Sequence, residues 1–207
     1  MADACLRSGR DRESVQLVAV TKVFPASVIL EAYSLGLRDF GENYVQEFET
    51  KAPLVRSLGG ARFHLIGHLQ SNKSRKAAEL FDSIQTVDSL RLARRLNECG
   101  RRLDVMIEVK LSEEGSKHGC APEELPALIE QTRALDHLHL KGLMTMPPWS
   151  EDPETARPYF RRLRELAARY GVTGLSMGMS GDLEVAIEEG STMIRVGTAL
   201  FGSRRLV

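Results

Sequence analysis

The stretch "QLVAVTKVFPASVILEAYSLG", Gln16 to Gly36, sets the rhythm of the chain. "QLVAV" is a continuous apolar run of strand length, the pattern of a strand covered on both faces, as in a parallel sheet. The run ends on Thr21 and Lys22, and Pro25 follows three residues later. Beyond the proline, Val28, Ile29, Ala32, Tyr33 and Leu35 recur at helical spacing until Gly36 closes the segment. One strand, one turn carrying a lysine and one helix make a single βα unit.

The same unit recurs along the whole chain. "RDFGEN" predicts a second strand, and Tyr44 to Ser57 a helix. "RFHLIG" predicts a third strand, with a helix from Ser71 to Leu80. "SIQTV" is a fourth, followed by Ser89 as N-cap and a helix to Asn97. "DVMIEV" is a fifth, with Pro122 opening a helix to Leu135. "LHLKGLM" is a sixth, before the long amphipathic helix in "PETARPYFRRLRELAARYG". "GLSMG" is a seventh, with a short helix from Leu183 to Glu189, and "MIRVG" is an eighth. Eight strands alternating with helices predict an α/β protein with a parallel sheet. At 207 residues they fit one (β/α)₈ TIM barrel spanning 1–207 as a single domain. An open doubly wound sheet is the alternative, but it usually has fewer strands.

Lys plus Arg and Asp plus Glu are 28 each, so net charge is zero. That balance argues against bulk nucleic-acid or anionic-membrane binding, which need a positive excess. Cys5, Cys99 and Cys120 are odd in number and widely spaced, which supports neither a disulfide framework nor a zinc ribbon. No apolar run reaches the roughly 18 residues of a membrane span, and "MADACLRSGRDRE" lacks the apolar core of a signal peptide. A cytoplasmic location is the expectation.

A barrel directs the search for a site to the C-terminal ends of its strands. There "SMGMSGDLE" sets Gly178, Ser180 and Gly181 just before a helix, and "RVGTALFG" adds Gly197 and Thr198 at the end of the next strand. Glycines admit close backbone approach and a helix start offers unpaired N–H groups. Barrels often bind a phosphate between the loops after strands seven and eight. The plainer alternatives are that Ser180 caps a helix and Gly197 ends a strand; Asp182 is expected to point outward along its helix. Lys22, at the mouth of an apolar barrel, is a candidate amine nucleophile for a Schiff base; a structural pairing with Glu42 is the alternative. A phosphorylated aldehyde satisfies the lysine and the phosphate site together, and pyridoxal phosphate is the obvious candidate. Arg195 faces inward on strand eight, where it could meet a pyridine nitrogen and keep it unprotonated, or form a buried ion pair.

"LVAVTK", "FGENYVQE", "FHLIGHLQSNK" and "SMGMSGDLEVAIEEGSTMIRVGTALFG" resemble the YggS/PROSC family of pyridoxal phosphate homeostasis proteins, from about Val15 to Arg204. The resemblance implies a fold type III barrel, like the N-terminal domain of alanine racemase, with Lys22 as the Schiff-base lysine. It further implies phosphate contacts from Ser180, Gly197 and Thr198, Arg195 near the pyridine nitrogen and Asn43 beside the cofactor. The lysine matching Lys117 has been linked to cofactor handling in that family. Two departures stand out: only "MADACLRSGR" precedes the first strand where the family usually has a longer helix, and Thr21 stands where many members have serine. The sequence runs five residues past Gly202, and no β-rich second domain of the racemase kind is expected.

The implied function is a pyridoxal phosphate carrier or buffer in intracellular homeostasis, without robust turnover. The alternatives are a fold type III enzyme such as an amino-acid racemase, and a sugar-phosphate barrel using Lys22 as class I aldolases do. Pyridoxal phosphate, and through it apo enzymes that need it, are the expected partners; no nucleic acid, no membrane and a monomeric state are expected. The pairs His64–His68 and His137–His139 lack a third ligand, so no metal is expected. "QSNKSRK" reads as a solvated basic face or an RNA or acidic-partner site. Cys120 reads as an exposed loop thiol, and "MTMPPW" as a pocket lining or a packing cluster.

Overall fold

The computed structural model describes residues 1–112 and 118–202. Eight parallel strands close into a barrel in chain order: β1 (Gln16–Val20), β2 (Asp39–Glu42), β3 (Arg62–Leu65), β4 (Ser83–Val87), β5 (Leu103–Glu108), β6 (Leu138–Met144), β7 (Gly174–Ser176) and β8 (Met193–Val196). Closure comes from β1 against β8, with Val18 opposite Arg195 and Ala19 opposite Val196. The helices are α1 (Ala2–Arg7), α2 (Ala26–Ser34), α3 (Val45–Val55), α4 (Ser74–Leu80), α5 (Leu90–Asn97), α6 (Leu125–Arg133), α7 (Arg157–Arg169), α8 (Leu183–Glu188) and α9 (Thr198–Phe201).

The period of two along each strand divides the interior into two layers. Phe40, Phe63, Ile84 and Leu103 face outward and pack beneath the helices, where Phe48 of α3 sits 4.7 Å from Phe63 and 4.8 Å from Phe81. Each such ring contributes about 2–3 kcal/mol of burial. Ile107, Leu143 and Leu175 do the same under α6 and α7. The alternate positions face the lumen, where Val18, Met106, Met144 and Met193 form an apolar cluster beside buried His64, Gln85, Ser176 and Arg195.

Ser89 accepts from Leu92 N and caps α5 as predicted. The helix predicted from Pro122 begins instead at Leu125. Pro126 explains the shift: without an N–H and with φ fixed, it fits only the first helical turn. Short 3₁₀ turns, Ser71–Lys73 and Pro153–Ala156, lead into α4 and α7. The brief N-terminal segment is well docked: Ala4 and Cys5 are buried with Ile187, Ile194 and Val196, and Arg7 reaches Glu184 at 2.6 Å and Glu188 at 3.2 Å. Cys120 is not an exposed loop thiol. It is 2% exposed and bridges Val109 in extended pairing, and burial pushes its thiol up to about 12, so it is unreactive near neutral pH. In "QSNKSRK", Lys76 is exposed and pairs with Glu49 and Glu79. No helix among the described residues is long and apolar enough to cross a membrane.

Candidate functional site

A pocket of about 380 Å³ opens at the C-terminal ends of the strands, and Lys22, Asn43, Ser180, Arg195, Gly197 and Thr198 all line it. Strand alternation puts them there. Val18 and Val20 face inward on β1, so Lys22 does too, one step past the strand end. Gly41 also faces in, close enough that an added Cβ would touch Val18 at 3.0 Å, and Asn43 continues that face above it. Gly67 lets β3 end against Asn43: a Cβ there would lie 2.3 Å from the Asn43 carbonyl oxygen.

Arg195 forms the floor. It is 3% exposed, and its guanidinium donates to Ser176 Oγ at 2.6 Å and to the Thr145 carbonyl at 3.0 Å. Burial pushes its pKa down to about 10, while Asp182 and Glu108 push back, so it is a cation at neutral pH. Beneath it a column of hydrogen bonds runs down the lumen. Ser176 Oγ donates to Gln85 Oε1 at 2.7 Å, and Gln85 Nε2 donates to His64 Nδ1 at 3.1 Å. The His64 proton therefore sits on Nε2, 2.9 Å from Asp39 Oδ1. Burial opposes ionisation of Asp39, but His64 and Gln16 outweigh it and hold the carboxyl below its ordinary value. Sequence reading missed the column; its signal is single polar residues at inward positions of apolar strands.

The loops after β7 and β8 meet at the pocket edge, where Ser180 Oγ accepts from Ala199 N at 3.2 Å. Ser180 therefore caps α9, not the helix it precedes. Gly178 holds φ +96; with a Cβ it would strike Ala186 at 2.5 Å, whereas a Cβ at Gly181 would meet nothing within 4 Å. Asp182 does not point outward. It lines the pocket, and its Oδ1 accepts from Met179 N at 2.6 Å, because the glycine turn folds the carboxylate back toward Arg195. Burial raises the Asp182 pKa.

Glu42 does not serve as a mate for Lys22. It lies behind the wall, where Lys51 of α3 reaches Glu42 at 2.9 Å and Glu47 at 2.6 Å and Thr21 Oγ1 donates to Glu42 at 2.7 Å. Thr21 thus retains the work of a hydroxyl. The histidines separate. His64 belongs to the lumen, and His139 pairs with Asp104 at 3.2 Å at the start of β6, far from the mouth. His68 lines the pocket and stacks on His118 at 3.6 Å with 10° between rings. With Asp88, their donor atoms lie within 4.8 Å of one another, a grouping the sequence did not reveal. A shared ion must lie near both imidazole planes, and planes so nearly parallel do not meet at the donors. "MTMPPW" splits: Met144 packs in the lumen, Met146 lines the pocket, and Trp149 is 84% exposed at its rim. Lys117 lies outside the described residues.

The alanine racemase N-terminal domain family model matches residues 6–205. The pyridoxal phosphate homeostasis protein of Pseudomonas aeruginosa is 47% identical over 98% of this chain and 90% of its own. This chain belongs to the pyridoxal phosphate homeostasis protein family. Among solved structures of the family, PipY of Synechococcus elongatus with PLP bound superposes with TM-score 0.86 at 43% identity, over 96% of this chain and 97% of that one. Alanine racemase of Clostridium difficile shares the fold, with TM-score 0.75 at 14% identity over 98% of this chain and 55% of its own. The family's barrel is thus present in this chain.

Proposed function

We propose that this protein binds pyridoxal phosphate as a Schiff base on Lys22 and holds it in reserve for cellular homeostasis, without robust turnover. The observation that carries the reading is the convergence of an amine, a buried guanidinium and two hydroxyl side chains on one pocket. The donor set fits the cofactor. Ser180 and Thr198, with the backbone at Gly197, bind the phosphate, and open space at Gly181 leaves room for it. Arg195 would meet the ring nitrogen as a cation and keep it unprotonated, since two adjacent positive charges repel. Asn43 borders the ring. The volume lies within the roughly 300–1,000 Å³ of small-molecule sites. The bound cofactor supplies an aldehyde carbon and a conjugated ring. Lys22 would supply the amine for reversible attachment to that carbon, with the aldehyde oxygen leaving as water.

Two features favour storage over catalysis. An arginine opposite the ring nitrogen weakens the ring as an electron sink. Moreover, no tyrosine among the described residues lines the pocket; Tyr44 is 59% exposed beside it, and Tyr170 caps α7. The relative from Pseudomonas aeruginosa is named for homeostasis, and PipY is a structure with PLP bound. The test is visible absorbance of the purified protein, its loss in Lys22→Ala, and assay of amino-acid racemisation. Absorbance that depends on Lys22 without turnover above the variant supports the reading; racemisation well above it overturns the storage role.

A further inference from the structure

We propose that the buried Glu42–Lys51–Glu47 cluster is a positioning device that holds the turn carrying Lys22 from behind the barrel wall, an inference that rests on the cofactor reading above. Lys22 is the second residue of a turn closed by Phe24 N donating to the Thr21 carbonyl at 3.1 Å. The third residue, Val23, has φ +63, a conformation that β-branched residues rarely adopt because Cβ crowds the backbone. Val23 is 56% exposed, so packing of its side chain does not hold it there.

Hydrogen bonds do. Lys51 Nζ donates to the Thr21 carbonyl at 3.0 Å, to both Glu42 oxygens at 2.9 and 3.0 Å, and to Glu47 Oε1 at 2.6 Å. Glu47 Oε1 in turn accepts from Val23 N at 2.5 Å. The residues on both sides of Lys22 are thereby tied to one ammonium: Thr21 through its carbonyl and, by way of Glu42, its hydroxyl, and Val23 through its N–H. Alternation explains the layout. Lys22 faces the pocket, so its neighbours face away from it, toward α3. Lys51 is 6% exposed and Glu42 is fully buried, a desolvation that raises the Glu42 pKa against the pull of Lys51.

Buried ion clusters often serve stability alone, so the test must read something a purely structural role does not move. Glu47 is the partner to remove, because its side chain is 23% exposed and its loss still leaves Lys51 paired with Glu42. Glu47→Ala frees Val23 to leave positive φ, and Val23→Gly makes positive φ accessible without the clamp. Pyridoxal phosphate is titrated into apo wild type, E47A, V23G and E47A/V23G, following the visible band, with thermal melts on each. The expected result is a roughly tenfold weaker affinity for E47A (about 1.4 kcal/mol), with at least threefold of it restored in E47A/V23G and the borohydride-reduced adduct still on Lys22. Unchanged affinity in E47A, or a loss that V23G does not restore, overturns the clamp. If wild type itself forms no adduct on Lys22, the cofactor reading fails instead. Should E47A not fold, V23G alone carries the test: affinity kept within about threefold of wild type supports a turn whose shape is imposed from behind, and a larger loss contradicts it.

Discussion

Two buried polar assemblies stand on opposite faces of the same barrel wall, and they handle charge in opposite ways. In the lumen, Arg195 is held at hydrogen-bond distance by dipoles, a serine oxygen and a backbone carbonyl, with a hydrogen-bonded relay through Gln85 and His64 beneath. Behind the wall, Lys51 is held by two carboxylates within 3 Å. A cation solvated by dipoles keeps its charge for whatever enters the pocket. A cation neutralised by carboxylates does not, and serves to fix the backbone around it. The lumen assembly ends at the pocket floor and the outer one at the lysine turn, so the two meet at the same pocket.

The largest effect that tests this contrast is on stability. Lys51→Met strands two carboxylates, one of them fully buried, and is expected to cost about 3–5 kcal/mol. Arg195→Met removes a cation whose direct hydrogen-bond acceptors are neutral, leaves Asp182 and Glu108 without its charge, and is expected to cost less, about 1–3 kcal/mol. Urea unfolding measures both; an Arg195→Met protein less stable than Lys51→Met breaks the comparison.

The acid limb gives a second, smaller contrast. The Asp39 pKa is lowered from 3.8, so its contribution is full above that value and lost as pH falls through the lower folded value. The Glu42 pKa is raised from 4.5, so the folded state takes up its proton first and stability from this group rises as pH falls through the raised value. The cost of Asp39→Asn should therefore shrink below pH 3.8, whereas wild type should gain on Glu42→Gln as pH falls toward 4.5 from above. Parallel slopes for the two variants contradict the assignment.

The smallest effects come from two hydroxyl deletions. Thr21→Val and Ser176→Ala each remove one hydrogen-bonding hydroxyl, at about 0.5–1.5 kcal/mol. Thr21→Val should weaken cofactor binding through the lysine turn, and Ser176→Ala through the floor. Denaturant melts paired with pyridoxal phosphate titration separate fold from site.

Much of this was legible in the chain before its structure. Apolar runs at regular spacing gave all eight strands, and position at strand ends, together with family resemblance, gave six residues that share one pocket. What escaped reading was whatever depends on which way a side chain turns. Glu42 is an acid one residue before Asn43, but only the pleat shows that it faces α3 while Asn43 faces the pocket. Lys51 lies 30 residues from Thr21, and nothing local joins them. Asp182 turned inward because the positive φ at Gly178 redirects its loop. Gln85 and His64 read as isolated polar residues until closure of the barrel stacked them in a column.

The central claim is that Lys22 carries the cofactor, and chemical trapping tests it most directly. The protein is incubated with pyridoxal phosphate, reduced with borohydride, digested and mapped by mass spectrometry. A pyridoxyl adduct on the peptide containing Lys22, absent from Lys22→Ala, is the predicted result. An adduct spread over surface lysines, or centred on another residue while Lys22 stays unmodified, contradicts the account.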